Sequence, residues 1–143
     1  MTELQTSQFI ERIKNVTLND EAKFGTMNVR QMICHCSDQF RMMFGEVEGL
    51  VREEVDLQEL QKKIMKGESV STVKGLDQAA GEGTAPGNFE KDKETLINYL
   101  NRFNETDENY EFSFHPFFGV INRERWERLV THHLNHHLSQ FGR

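Results

Sequence analysis

The feature that most constrains this chain is a pattern of histidines near its end. The segment Asn122 to Gly142, NRERWERLVTHHLNHHLSQFG, carries four of the chain's six histidines. They form two pairs spaced i, i+4: His132 with His136, and His133 with His137. Leu134, Asn135, Leu138 and Phe141 interleave with them at helical spacing, unlike the uninterrupted run of a purification tag. At 100° per residue, Trp126, Leu129, Val130, His133, His137 and Gln140 share a sector of about 100°, the arc of a core-facing stripe. His132 and His136 lie to one side, roughly 70° to 110° from its centre. Two imidazoles one turn apart can converge on a divalent metal, because their Cβ atoms stack about 5 to 6 Å apart. They can equally be core residues, provided the donor and the acceptor of each neutral ring are satisfied. A metal would need a third ligand from elsewhere in the chain.

The remaining sequence predicts a single all-α domain over residues 1–143. The length suits one core. Long stretches of 3.6-residue periodicity, two prolines and few alternating β-branched runs leave little case for a sheet. The opening MTELQTSQFIERIK is polar and amphipathic, and no 18-residue apolar run follows, so neither a signal peptide nor a membrane span is expected and the cytoplasm is the default location. A net charge of -6 with scattered Lys and Arg argues against a nucleic-acid partner. Cys34 and Cys36 project about 160° apart on a helix and cannot bridge each other, so both are expected as free thiols.

A first helix is predicted over about residues 3–15, with Leu4, Phe9, Ile10 and Ile13 near one face. A second opens at Asn28, with Gln31 three residues on as a capping box, and stops near Gly45. Its apolar face is Val29, Met32, Ile33, Cys36, Phe40, Met43 and Phe44. His35 falls at the edge of that arc, where periodicity favours a solvated residue over a ligand in a helix seam. The acidic run Glu46 to Asp56 leads to a short helix that ends at Gly67. The glycine-rich stretch 68–88 has no period and reads as a surface loop, with a lid as the other option. A third long helix is expected from Phe89 to Phe103, with Phe89, Leu96, Tyr99, Leu100 and Phe103 inward, and a break over Asn104 to Asn109. His115 precedes Pro116, which excludes helix there. Gly119 permits a turn, Asn122 starts the last helix and Gly142 stops it.

Taken together, QMICHC in the second helix, HPFFGVINRERW before the last and THHLNHHLSQFG at the end resemble the DinB-like superfamily of four-helix-bundle metalloenzymes. The chain looks most like a DinB-related branch classed as a domain of unknown function, and the likeness runs from about Thr26 to Gly142. It implies a four-helix bundle with a long crossover between the second and third main helices. It also implies a divalent metal, zinc or nickel foremost, held by His35, His133 and His137. His132 and His136 then flank the site, and His115 has no family role. Some members of the superfamily are thiol-dependent S-transferases, and others are isomerases or hydrolases.

Three neutral imidazoles leave open positions on a divalent ion, as in catalytic rather than structural zinc sites. The expected function is therefore a metal-dependent enzyme, a transferase or hydrolase acting on a small molecule, with a low-molecular-weight thiol as a cosubstrate option. No Asp or Glu stands at the spacing of a general base, and no catalytic side chain is named. Gln140, on the ligand face, is a candidate hydrogen-bond partner for a ligand. Cys34 and Cys36 point about 100° to either side of His35 and are not expected to bind the metal. The competing reading is a non-catalytic bundle, with a structural metal or none, acting through a partner or as a homodimer. In that reading Phe112, Phe114, Phe117 and Phe118 could form an interface instead of a pocket wall.

Overall fold

The computed structural model describes residues 1–53, 55–68 and 73–143. Among these it contains five α-helices and no strand: α1 (Glu3–Asn15), α2 (Val29–Met43), α3 (Leu57–Met65), α4 (Phe89–Glu105) and α5 (Arg123–Gln140). One turn of 3-10 helix lies at Gln78–Ala80. The expectations for Glu54 and for residues 69–72 of the glycine-rich stretch lie outside the described residues.

Helix starts follow local side-chain chemistry. Asn28 accepts from the Gln31 N–H while the Gln31 side chain accepts from the Asn28 N–H, so the capping box at α2 is formed as expected. Thr2 and Gln5 build the same device at α1. Asn122 caps α5 by accepting from the Arg125 N–H. Helix α4 runs on to Glu105, two residues past the expected end at Phe103.

The four longer helices surround one core. Helix α2 packs on α4 and α5, and α1 packs on the same two, so α1 and α2 lie across the core from each other. Phe40, Phe103, Trp126, Leu96, Leu100 and Leu134 are fully buried there. Helix α2 is buried almost all round, Cys34, His35, Ser37, Asp38 and Met42 included, because the Gln78 turn covers the side that its neighbouring helices leave open. Leu4 departs from expectation at 68% exposed, since α1 buries its later residues Phe9 and Ile13 instead. Lys93 of α4 is buried, and its ammonium donates to the Lys14 and Val16 carbonyls, closing the end of α1.

Asp38 pins the segment that covers α2. Its carboxylate has no exposed surface and accepts from the Thr84 N–H, the Thr84 hydroxyl, the Gln78 amide and Arg41. Gly83 lies so close that a Cβ would come within 2.5 Å of Asp38 Oδ2, and its φ of +79° is one that glycine adopts without strain. Removing the acceptor strands several buried donors at once. Asp38→Ala is expected to lower the unfolding free energy by about 2 to 4 kcal/mol in urea titrations. A loss within 0.5 kcal/mol would show that the pin is dispensable.

Candidate metal centre

The three histidines singled out by the resemblance come together in space. His35 arrives from the middle of α2, and His133 and His137 from successive turns of α5. Ring centroids are 4.8 Å apart for His35 and His133, 4.6 Å for His35 and His137, and 4.4 Å for His133 and His137. One nitrogen from each ring lies within 4.8 Å of the others, and this group could hold a metal ion. His35, placed at the edge of its helix by periodicity, is 7% exposed and His137 8%.

The hydrogen bonds around the rings decide which nitrogens are free. His35 Nδ1 is 3.2 Å from the Leu76 carbonyl, which can only accept, so Nδ1 carries the proton and Nε2 offers a lone pair. His137 Nδ1 stands 2.7 Å from Gln140 Oε1, which fixes the same tautomer, and the Gln140 side chain is thus the partner of a ligand-forming ring. The His35 and His133 Nε2 atoms face each other at 2.9 Å. A proton on His133 Nε2 would satisfy that contact but leave His133 Nδ1, which is buried and has no hydrogen-bond partner among the described residues, as a bare lone pair. A cation between the rings would relieve the Nε2–Nε2 contact, because both atoms would then meet it with lone pairs, while His133 Nδ1 would carry the proton and keep no partner among the described residues. Two nitrogens bound at 2.0 to 2.1 Å to a tetrahedral ion sit about 3.3 Å apart, which falls between the 2.9 Å of the His35–His133 pair and the 4.8 Å within which all three ligand atoms lie. The donor set therefore fits a divalent ion of imidazole preference.

Burial keeps these rings neutral, the form that binds a metal. It holds His35 below the ordinary histidine range and His133 well below it, and together with the neighbouring His35 it pushes His137 down to about 3.

Beside the cluster lies a cavity of about 220 Å³, with Met42, Val73, Leu76, Phe117 and Leu129 among its apolar lining. The stripe expected on α5 splits in two here. Trp126, Val130, Leu134 and Leu138 enter the core, while Leu129, His133 and His137 line the cavity with the flanking His132 and His136. Gln39, one turn after His35, and Glu68, after the end of α3, line it as well. Neither residue was marked by spacing, since Glu68 follows a helix end and Gln39 resembles any polar residue on a wheel. The Cys34 and Cys36 thiols are free, buried and outside the histidine group; burial pushes Cys34 up to about 12 and Cys36 higher still. The aromatic segment divides too: Phe112 packs against the core, Phe117 and Phe118 line the cavity, and Phe114 is 54% exposed.

A family model described as "Protein of unknown function (DUF1569)" matches residues 4–143. The chain belongs to that family. No curated protein and no solved structure shows a significant match to it. The DUF1569 match covers α1 from its second residue and the other four helices whole, so the histidine cluster lies wholly within the matched region. No helix among the described residues is long and apolar enough to cross a membrane.

His115 also lines the cavity and is 6% exposed. Burial pushes its pKa down from 6.5 to about 4, with the positive charge of Arg125 adding to the effect. A histidine whose pKa is lower folded than unfolded binds its proton first in the unfolded chain. Its contribution is therefore fully present above pH 6.5, is lost progressively as the pH falls, and levels off below about pH 4. Unfolding free energies measured from pH 7 to 4 are expected to fall less steeply in His115→Gln than in the wild type. Equal slopes would show that His115 is not held neutral by the fold.

Proposed function

We propose that this protein is a divalent-metal-dependent enzyme of DinB-like type that acts on a small, largely apolar molecule. The observation that carries the reading is the convergence of His35, His133 and His137, with two of the three tautomers set by Leu76 and Gln140. Among the described residues no carboxylate or thiolate joins the three imidazoles, and such a donor set would leave positions on the ion for substrate or water. The adjoining apolar cavity supports a substrate, which a purely structural ion would not require. Packing of α1, α2, α4 and α5 around one core supports a four-helix bundle, with the chain from Phe44 to Asn88 as its crossover.

A divalent cation, zinc or nickel, would supply Lewis acidity, stabilising negative charge on an oxygen or sulfur that enters the site. The chain's own residues do the rest. The Leu76 carbonyl and the Gln140 side chain orient two ligand rings and raise their basicity. Met42, Leu129 and Phe117 give the space beside them an apolar wall, which strengthens electrostatic interactions along it. Thiol transfer or hydrolysis on a small electrophile is the chemistry that suits this arrangement.

Elemental analysis of untagged protein is expected to find about one zinc or nickel ion per chain after loading. His35→Ala and the double variant His133→Ala, His137→Ala should lose it, whereas His132→Ala, His136→Ala should keep it. Gln140→Leu is expected to weaken the metal about 10- to 100-fold. Wild-type protein that takes up neither ion would overturn the reading and leave a non-catalytic bundle. Metal uptake without turnover of any thiol and electrophile pair would overturn the S-transferase assignment.

A further inference from the structure

The cavity holds a second polar feature that the metal reading does not use. His115 sits in a tight turn closed by two backbone hydrogen bonds with Gly119, of 2.7 and 2.8 Å, and Gly119 takes a φ of +68° to make it. The ring is wedged among Phe117, Phe118 and Trp126, with centroids 5.0 to 5.3 Å away. Its Nδ1 accepts from the Phe117 N–H at 3.0 Å. A backbone N–H can only donate, so Nδ1 holds a lone pair and the proton of the neutral ring is on Nε2. That tautomer is the reverse of the one in His35 and His137, and it makes Nε2 a donor. Nε2 has no hydrogen-bond partner among the described residues, on a ring that lines the same cavity as the histidine cluster.

We infer that His115 is a substrate-orienting donor: its Nε2–H binds an oxygen acceptor, of carbonyl type, on a ligand whose apolar body fills the cavity beside the three histidines. Three features support this. The ring is fixed on both sides, so it presents its proton without losing rotamer freedom on binding. Its neighbours are apolar, so a hydrogen bond made there faces little competition from water. Gln39, on the same cavity, has a buried side-chain oxygen that also lacks a partner, so the space holds more polar capacity than the protein satisfies. A hydrocarbon alone would leave both groups unpaired, whereas a ligand carrying an oxygen would satisfy at least the His115 donor. The inference deepens the enzyme reading by naming a substrate class, but the hydrogen bond itself involves no metal.

The test uses the whole 143-residue chain in metal-free and zinc-loaded forms. Long-range 1H–15N spectra of the histidine rings report each tautomer directly. His115 is expected as the Nε2–H form, with its Nε2 resonance shifting on addition of 4-fluoroacetophenone. Binding of that probe is followed by fluorine NMR against 1-fluoro-4-isopropylbenzene, which has a similar shape and no oxygen. Wild type should prefer the ketone, and His115→Phe should erase most of that preference, a change of about tenfold for one neutral hydrogen bond. His115→Gln, which restores an N–H donor, should recover part of it. Zinc content should stay at the wild-type level in both variants, which separates this contact from the metal centre. An Nδ1–H tautomer, no ketone preference in the wild type, or the same preference in His115→Phe would overturn the inference. Failure of zinc to bind, with the ketone preference intact in the metal-free protein, would strike the metal reading and leave this one standing.

Discussion

The buried carboxylate of Asp38 is the interaction on which the arrangement around α2 depends. It ties Gln78 and Thr84 to that helix, and the segment so fastened carries the Leu76 carbonyl to His35. A helix can place His35 in a seam between neighbours, but it cannot choose which ring nitrogen carries the proton. That choice comes from a carbonyl on a different stretch of chain. The pin is therefore structural in its energetics and chemical in its consequence, since the tautomer it secures leaves Nε2 available to a cation.

Two kinds of buried histidine share one cavity, and the polar group at Nδ1 distinguishes them. Leu76 and Gln140 offer acceptors to His35 and His137, so those rings present lone pairs. Phe117 offers an N–H to His115, so that ring presents a proton. Burial lowers the proton affinity of all three alike, which keeps each in the neutral form that its role requires. A site that combines electron-pair donors at one point and a proton donor at another can hold a cation and orient a polar ligand near it while these histidine rings stay neutral.

Much of the fold was legible in residue order. The capping box at Asn28 and Gln31 marked the start of α2, Asn122 marked α5, and the period of Phe89, Leu96, Leu100 and Phe103 marked α4. The pairing of His133 and His137 on one face was also readable, because their spacing alone stacks them. His35 was not readable that way. A helical wheel describes one element without its neighbours, and His35 is buried because Leu76 and the α5 histidines meet a side of α2 that periodicity left at the edge. The family resemblance, not the wheel, pointed to it. Leu134 and Leu138 show the same limit from the other side: α5 meets the core along one strip and the cavity along another, which a single apolar stripe cannot represent.

The sequence by itself determined the helical class, the starts of the main helices and the two histidine pairs, because these follow from interactions within a few residues of chain. Tertiary structure alone decided how His35 comes to be buried, where the cavity opens, and which nitrogen of His35, His115 and His137 is protonated. The partners that set the protons lie at very different distances along the chain: Gln140 is three residues from His137, Phe117 two from His115, and Leu76 forty-one from His35. The first two could have been guessed from proximity, although nothing in their identities says whether they bond. The third exists only because a buried carboxylate holds two separated segments together, and no local pattern encodes that.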